Sequence, residues 1–204
     1  MVIPVFSSVF SALTVRSAEP THVVWFTQTM TILDSLDEAD FVKYKQLKLE
    51  SLEQEPLAFS PGIEVYKDYS EADWVRESKR IQSGPNRMFF VEHNGQIIAM
   101  AGICMYEQNL YKHNAQLQAL YVSKEFRGQG LGSQLMQARI DHCINSDITN
   151  IICEIVSSQT ASLKLHEKFG FEIVGRYKDF VKYNDQYFDN IYLQRSCSKA
   201  PRVI

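Results

Sequence analysis

Asn94-Gly95 separates two β-patterned runs, RMFFVEH (87–93) and QIIAMAGICMYE (96–107), and a third run, NAQLQALYVS (114–123), follows a polar loop. Asn-Gly accepts positive φ at both positions, so it closes a two-residue hairpin turn. Parallel neighbours need crossover connections of about a dozen residues or more. None fits between these runs. The centre of the chain is therefore an antiparallel meander, which argues against a doubly wound parallel sheet.

Helical signals flank the meander. Ser35-Leu36-Asp37-Glu38 has the spacing of a capping box and predicts a helix from about residue 37 to 53, with Val42, Leu49 and Leu52 on one face. Pro56 ends it, Ser60-Pro61-Gly62 marks a loop, and residues 70–82 predict a second helix anchored by Trp74. After the meander a helix should run to about Asn145. NIICEIV (150–156) reads as a buried strand, and a helix over 159–169 stops at Gly170. FEIVGRYKDFVKY (171–183) and QYFDNIYLQ (186–194) then form a hairpin across Asn184-Asp185. The order β-α-α-β-β-β-α-β-α-β-β describes an α/β fold with a mixed, mostly antiparallel sheet flanked by helices.

The chain of 204 residues suits one domain, placed at 30–196 with a tail at 197–204. Residues 2–15 are apolar but too short to span a bilayer, and no positive charge precedes them as in a secretory signal. Residues 1–29 are expected to be an extension, disordered or ahead of the native start. A net charge of −3, with no basic run among aromatics, offers nucleic acid no electrostatic footprint. Cys104, Cys143, Cys153 and Cys197 form no CxxC and have no histidine at zinc-ligand spacing. Reduced thiols, a cytoplasmic location, no metal and no membrane partner are the expectations.

The meander feeds into RGQGLG (127–132), three glycines in five positions ahead of a helix. Turn and phosphate cradle are equally open on the glycines alone. A Walker A loop needs Gly-Lys-Ser/Thr, but Gly132 is followed directly by Ser133. A dinucleotide fingerprint needs G-x-G-x-x-G, while 128–132 reads G-x-G-x-G after a meander strand. The third option is the Arg/Gln-x-x-Gly-x-Gly/Ala loop, matched throughout by Arg127, Gly128, Gln129, Gly130, Leu131 and Gly132. A later segment, EIVSSQTASLKLHEKFGFEIVG, matches the accompanying pattern with Gln159, Ser162, Leu165-His166 and Gly170-Phe171. On these motifs the chain resembles, over residues 31–194, the GNAT superfamily of acetyl-CoA-dependent N-acetyltransferases. Its closing hairpin is similar to the phosphinothricin-type small-molecule branch.

The resemblance implies direct acetyl transfer from acetyl-CoA to a primary amine of a small molecule or amino acid, without a metal. Residues 128–133, ending at Ser133, would hold the pyrophosphate, together with Arg127. The backbone of Leu120, Tyr121 and Val122 would pair with the pantetheine arm at a β-bulge, and the Val122 N–H would face the thioester oxygen. Gln159 stands where the family has Asn, and would keep an amide contact to the coenzyme or cap its helix. His166 stands where the family has Tyr, and is the candidate acid for the leaving thiolate. Glu154 is the candidate base, and Glu107, His113 and Tyr121 are candidates for the acceptor pocket. A homodimer accords with the resemblance. A protein N-terminal or lysine acetyltransferase, a non-catalytic acyl-CoA-binding module and, more distantly, a dinucleotide-binding oxidoreductase are the competing readings.

Overall fold

The computed structural model describes residues 30–197; the expected extension at 1–29 lies outside the described residues. The elements are β1 (Thr31–Leu33), α1 (Phe41–Gln54), α2 (Ile63–Tyr66), α3 (Glu71–Arg80), β2 (Asn86–His93), β3 (Gln96–Met105), β4 (Asn114–Val122), α4 (Leu131–Asn145), β5 (Asn150–Val156), α5 (Thr160–Lys168), β6 (Glu172–Tyr183) and β7 (Gln186–Ser196). They build one seven-stranded sheet in the order β1-β2-β3-β4-β5-β7-β6. Every neighbouring pair is antiparallel except β4 with β5. The meander and the mixed, mostly antiparallel sheet are as the sequence indicates.

Alternation along the strands divides the interior into two cores. On one face Phe89, Val91, Ala99, Ala101, Ile151 and Cys153 pack with Leu135, Met136 and Ile140 of α4. On the other, Met88, Phe90 and Met100 pack with Tyr44 and Leu47 of α1 and Trp74 of α3. Trp74 is 1% exposed and is the anchor its helix promised. Both two-residue hairpin turns hold positive φ, at Asn94 and Gly95 and at Asn184 and Asp185.

The differences from expectation lie in the N-terminal helices. The Ser35 capping box does not form: a 3-10 turn (Glu38–Asp40) precedes α1, and Asp40 caps it without a side-chain bond. Ser70 instead caps α3, accepting from the Asp73 N–H while the Asp73 carboxylate accepts from the Ser70 N–H. Both stretches offer a short hydroxyl followed three residues later by an acid, and tertiary packing decides between them. Val42 is 46% exposed, because α1 turns Tyr44, Leu47, Lys48, Ser51 and Leu52 inward. A one-turn helix, α2, follows the Ser60-Pro61-Gly62 loop. Cys197, assigned to the tail, donates its N–H to Thr149 O at 2.8 Å, so pairing continues to that residue. No helix among the described residues is long and apolar enough to cross a membrane.

Candidate active site

The site begins where two parallel strands part. β4 and β5 pair only through Asn114, Ala115 and Gln116 opposite Asn150, Ile151 and Ile152. Beyond Gln116 that edge of β4 has no strand partner, and a cleft of about 1500 Å³ opens between the strands. On its other edge β4 bulges: Ala119 has φ 55°, and the register with β3 shifts between Met100 and Gly102. Gly102 permits this approach, since a Cβ there would lie 2.7 Å from Met88 Sδ and 3.0 Å from Gln118 Cγ. Past the bulge the Ser123 N–H donates to Ile98 O. Backbone groups alternate sides along a strand, so Tyr121 faces β3 while Leu120 and Val122 turn their N–H groups to the cleft.

The glycine-rich loop closes one end of the cleft. Gly128 and Gly130 lie at φ 78° and 83°, and Gly130 caps α4 with no side-chain bond. Ser133 and Gln134 are the first donors inside the helix, both to Gly130 O at 3.0 Å. The Leu131 and Gly132 N–H groups therefore lie ahead of the hydrogen-bonded ladder. A Cβ on Gly128 or Gly130 would meet nothing within 4 Å, and both glycines line the cleft. Open donors and the positive end of a fifteen-residue helix fit a pyrophosphate.

The two flanking side chains are tied elsewhere. Arg127 Nε donates to Val122 O at 2.9 Å, its Nη1 pairs with Glu55 Oε1 at 2.9 Å, and its guanidinium lies 5.5 Å from the Tyr121 ring centroid. Gln159 Nε2 points to the other oxygen of Glu55 at 3.5 Å and does not cap α5. Glu55 thus joins the end of α1 to both arms of the cleft. Nothing in the sequence singles it out, because its two partners are 72 and 104 residues away.

Glu154 stands on β5 opposite Tyr192 of β7 and lines the cleft. Its oxygens accept from Asn190 Nδ2 at 3.0 Å and Gln116 Nε2 at 3.4 Å, both uncharged donors. Desolvation, and the carboxylate nearby, push the Tyr192 phenol above its ordinary range. Tyr121 lines the cleft and donates its hydroxyl to Glu50 Oε1 at 2.8 Å. Glu107 and His113 are exposed in the β3–β4 connection and do not line it.

His166 is only 3% exposed. Its Nδ1–H donates to Ser162 O at 2.8 Å, and the ring packs edge-on against Phe171. A carbonyl oxygen only accepts, so in the neutral ring the proton is on Nδ1 and Nε2 is bare. Burial, assisted by the nearby Arg139 charge, pushes the pKa down to about 4. At neutral pH the ring has no spare proton for a thiolate. The same shift sets a stability effect. The unfolded histidine, near its ordinary 6.5, binds a proton more readily than the folded one, so stability is full above about pH 6.5 and falls towards pH 4. Between pH 8 and 5 this one group should cost about 2 kcal/mol. Urea unfolding of wild type and His166→Leu at both pH values measures it: the variant should lose about 2 kcal/mol less on acidification, and an equal loss would contradict this assignment.

Comparisons with known proteins bear on this geometry. The profile of the Acetyltransferase (GNAT) family matches residues 48–171. The L-methionine sulfoximine/L-methionine sulfone acetyltransferase of Pseudomonas aeruginosa is 33% identical over 76 residues, 37% of this chain and 44% of that protein. The phosphinothricin N-acetyltransferase of Streptomyces coelicolor is 30% identical over 76 residues, with the same 37% and 44%. The chain therefore spans less than half the length of these curated relatives. Among solved structures, a Salmonella typhimurium protein with its cofactor acetyl-CoA aligns with a TM-score of 0.71 at 17% identity, over 86% of this chain and 98% of that one. That last likeness is one of fold.

Proposed function

Because the chain belongs to the acetyltransferase (GNAT) family, we propose that it moves an acetyl group from acetyl-CoA directly to a primary amine of a small molecule or amino acid. The observation that carries this reading is one cleft joining three features. They are the open donor loop at α4, the unpaired edge of β4 after its bulge, and a carboxylate facing them from β5. The activities for which the phosphinothricin and methionine sulfoximine enzymes are named support a small, amino-acid-like acceptor.

When bound, acetyl-CoA supplies a thioester carbonyl and a thiolate leaving group. In this reading Leu131, Gly132 and Ser133 bind the pyrophosphate, and the free edge of β4 lines up the pantetheine arm. The Leu120 N–H, turned to the cleft next to the bulge, would bond the oxyanion that forms as the amine adds; such donors act without reorganising during reaction. The Val122 N–H, nearer the pyrophosphate seat and expected from the sequence to face that oxygen, would instead bond the pantetheine arm. Glu154, directly or through water, takes a proton from the attacking amine. The nitrogen–carbon bond forms, the carbon–sulfur bond breaks, and its electron pair leaves on sulfur. His166 is a packing residue with an unprotonated Nε2, so the acid role expected for it is not carried forward. Arg127 and Gln159 brace the cleft through Glu55.

A panel of amines scored by thiol release tests the function. Small amino acids and related amines should release coenzyme A thiol in proportion to N-acetylated product. Turnover confined to peptide N-termini or lysines would contradict the acceptor class, and coenzyme binding without turnover of any amine would contradict catalysis.

A further inference from the structure

Among the described residues, Arg139 is a buried cation with no anion beside it. It sits on the inward face of α4 among Leu135, Met136, Ile140 and Cys143 and is 1% exposed. Its Nη1 reaches Gln118 O only at 3.4 Å, its Nη2 faces Met136 Sδ at 3.4 Å, and its Nε has no partner. The titratable groups around it are Cys143 on α4, Cys153 on β5 and His166 on α5. Burial pushes both thiols up to about 12, and His166 is neutral, so none supplies a negative charge. Glu154 follows Cys153 on β5 and therefore projects from the opposite face of the sheet. Burial lowers the guanidinium pKa to about 10, which keeps it charged at neutral pH. A buried charge left uncompensated is strongly destabilising. Packing alone would favour an aliphatic side chain here.

The position of Arg139 along the cleft says what the missing anion is. Arg139 lines the cleft and meets the Gln118 carbonyl at the start of the β4 bulge. The pyrophosphate seat follows the other end of β4, and Leu131 lies eight residues, or about 12 Å, away along α4. An arm laid from that seat along the free edge of β4 would pass Val122 and then Leu120, bringing its far end, the sulfur, towards Gln118.

We infer that Arg139 is a catalytic residue that holds the departing coenzyme A thiolate, an assignment that rests on the acetyl-CoA reading of the loop. As the amine nitrogen bonds to the acyl carbon, the carbon–sulfur pair collapses onto sulfur opposite the guanidinium. The amine proton goes to Glu154, and the thiolate is protonated by solvent on release. Charge stabilisation thereby replaces the proton that His166 lacks.

The test compares coenzyme A with desulfo-coenzyme A, which lacks the thiol, by calorimetry and by the ultraviolet absorbance of the bound thiolate across pH 6 to 9. Bound to wild type, the thiol should titrate at least tenfold more acidic than a free thiol near 8.5. Arg139→Met, similar in volume and uncharged, should abolish that shift and lower kcat by roughly 10-fold to 100-fold, leaving desulfo-coenzyme A affinity within about twofold. Arg139→Lys should restore part of the shift. An unshifted thiol in wild type overturns the assignment whether or not the variants fold. Equal losses of coenzyme A and desulfo-coenzyme A affinity in a folded Arg139→Met overturn it as well, returning Arg139 to structure. A preference of wild type for thioesters whose acyl group ends in a carboxylate also overturns it, since the anion would then be the acyl group. Failure of wild type to bind either compound overturns the coenzyme reading itself.

Discussion

Gly130→Glu should abolish acetyl-CoA binding and leave a folded protein. Gly130 holds φ 83°, where an L-residue is strained by about 1–2 kcal/mol. That is a modest part of the roughly 5–15 kcal/mol by which domains are stable. A Cβ at this position meets no atom within 4 Å and Gly130 lines the cleft, so the new side chain has open space beside the loop. There its carboxylate competes for the Leu131 and Gly132 N–H groups at the helix terminus and repels a pyrophosphate. Gly130→Asn separates charge from strain, because asparagine tolerates the left-handed conformation and carries no charge. Calorimetric titration should show no detectable binding for the glutamate variant and weakened binding for the asparagine variant. Circular dichroism and urea midpoints should show both folded. Unchanged affinity in a folded Gly130→Glu would mean that the loop does not seat the pyrophosphate.

The sequence made the local and periodic features legible. The Asn94-Gly95 turn, the apolar run 150–156 and the stop at Gly170 are short-range codes, and these three features form within two residues of their expected places. The loop at 127–132 stood out by its three glycines in five positions, which alone leave turn and phosphate cradle equally open. What escaped depends on contacts distant in sequence. Glu55 brings Arg127 and Gln159 together, and Asn190 completes the surroundings of Glu154 from β7. The Ser35 and Ser70 boxes look alike in sequence, and only packing selects the second. Arg139 did leave a signal: it is a charge on the helical stripe formed by Leu135, Met136, Ile140 and Cys143. A break in apolar period at a buried position marks a candidate site as surely as a glycine motif does. His166 is the opposite case, since a residue type suited to proton transfer is disarmed by burial and by a carbonyl at 2.8 Å.

Glu154→Gln should lower kcat/KM for amine acetylation by roughly 10²–10⁴, the span of a lost general base. The substitution keeps the size and one acceptor oxygen of the side chain, so the Asn190 and Gln116 contacts at 3.0 and 3.4 Å can persist in part. What disappears is the basic oxygen that faces the cleft. Among the described residues no cation pairs with this carboxylate; the Asn190 and Gln116 amides donate to it, and the Tyr192 phenol lies beside it. The pH profile distinguishes this role from a structural one. An α-amino group titrates near 7.7–8.0, so below that range most acceptor arrives protonated and depends on the base. The deficit of Glu154→Gln should therefore be largest at about pH 6–7 and shrink above about pH 8.5, as the neutral amine becomes abundant in solution. Acetyl-CoA affinity should stay unchanged, since the loop and the β4 edge are untouched. A variant with a pH-independent deficit, or with a loss confined to coenzyme affinity, would make Glu154 a scaffold for β5 and β7. The proton would then have to leave the amine through another group lining the cleft or through solvent.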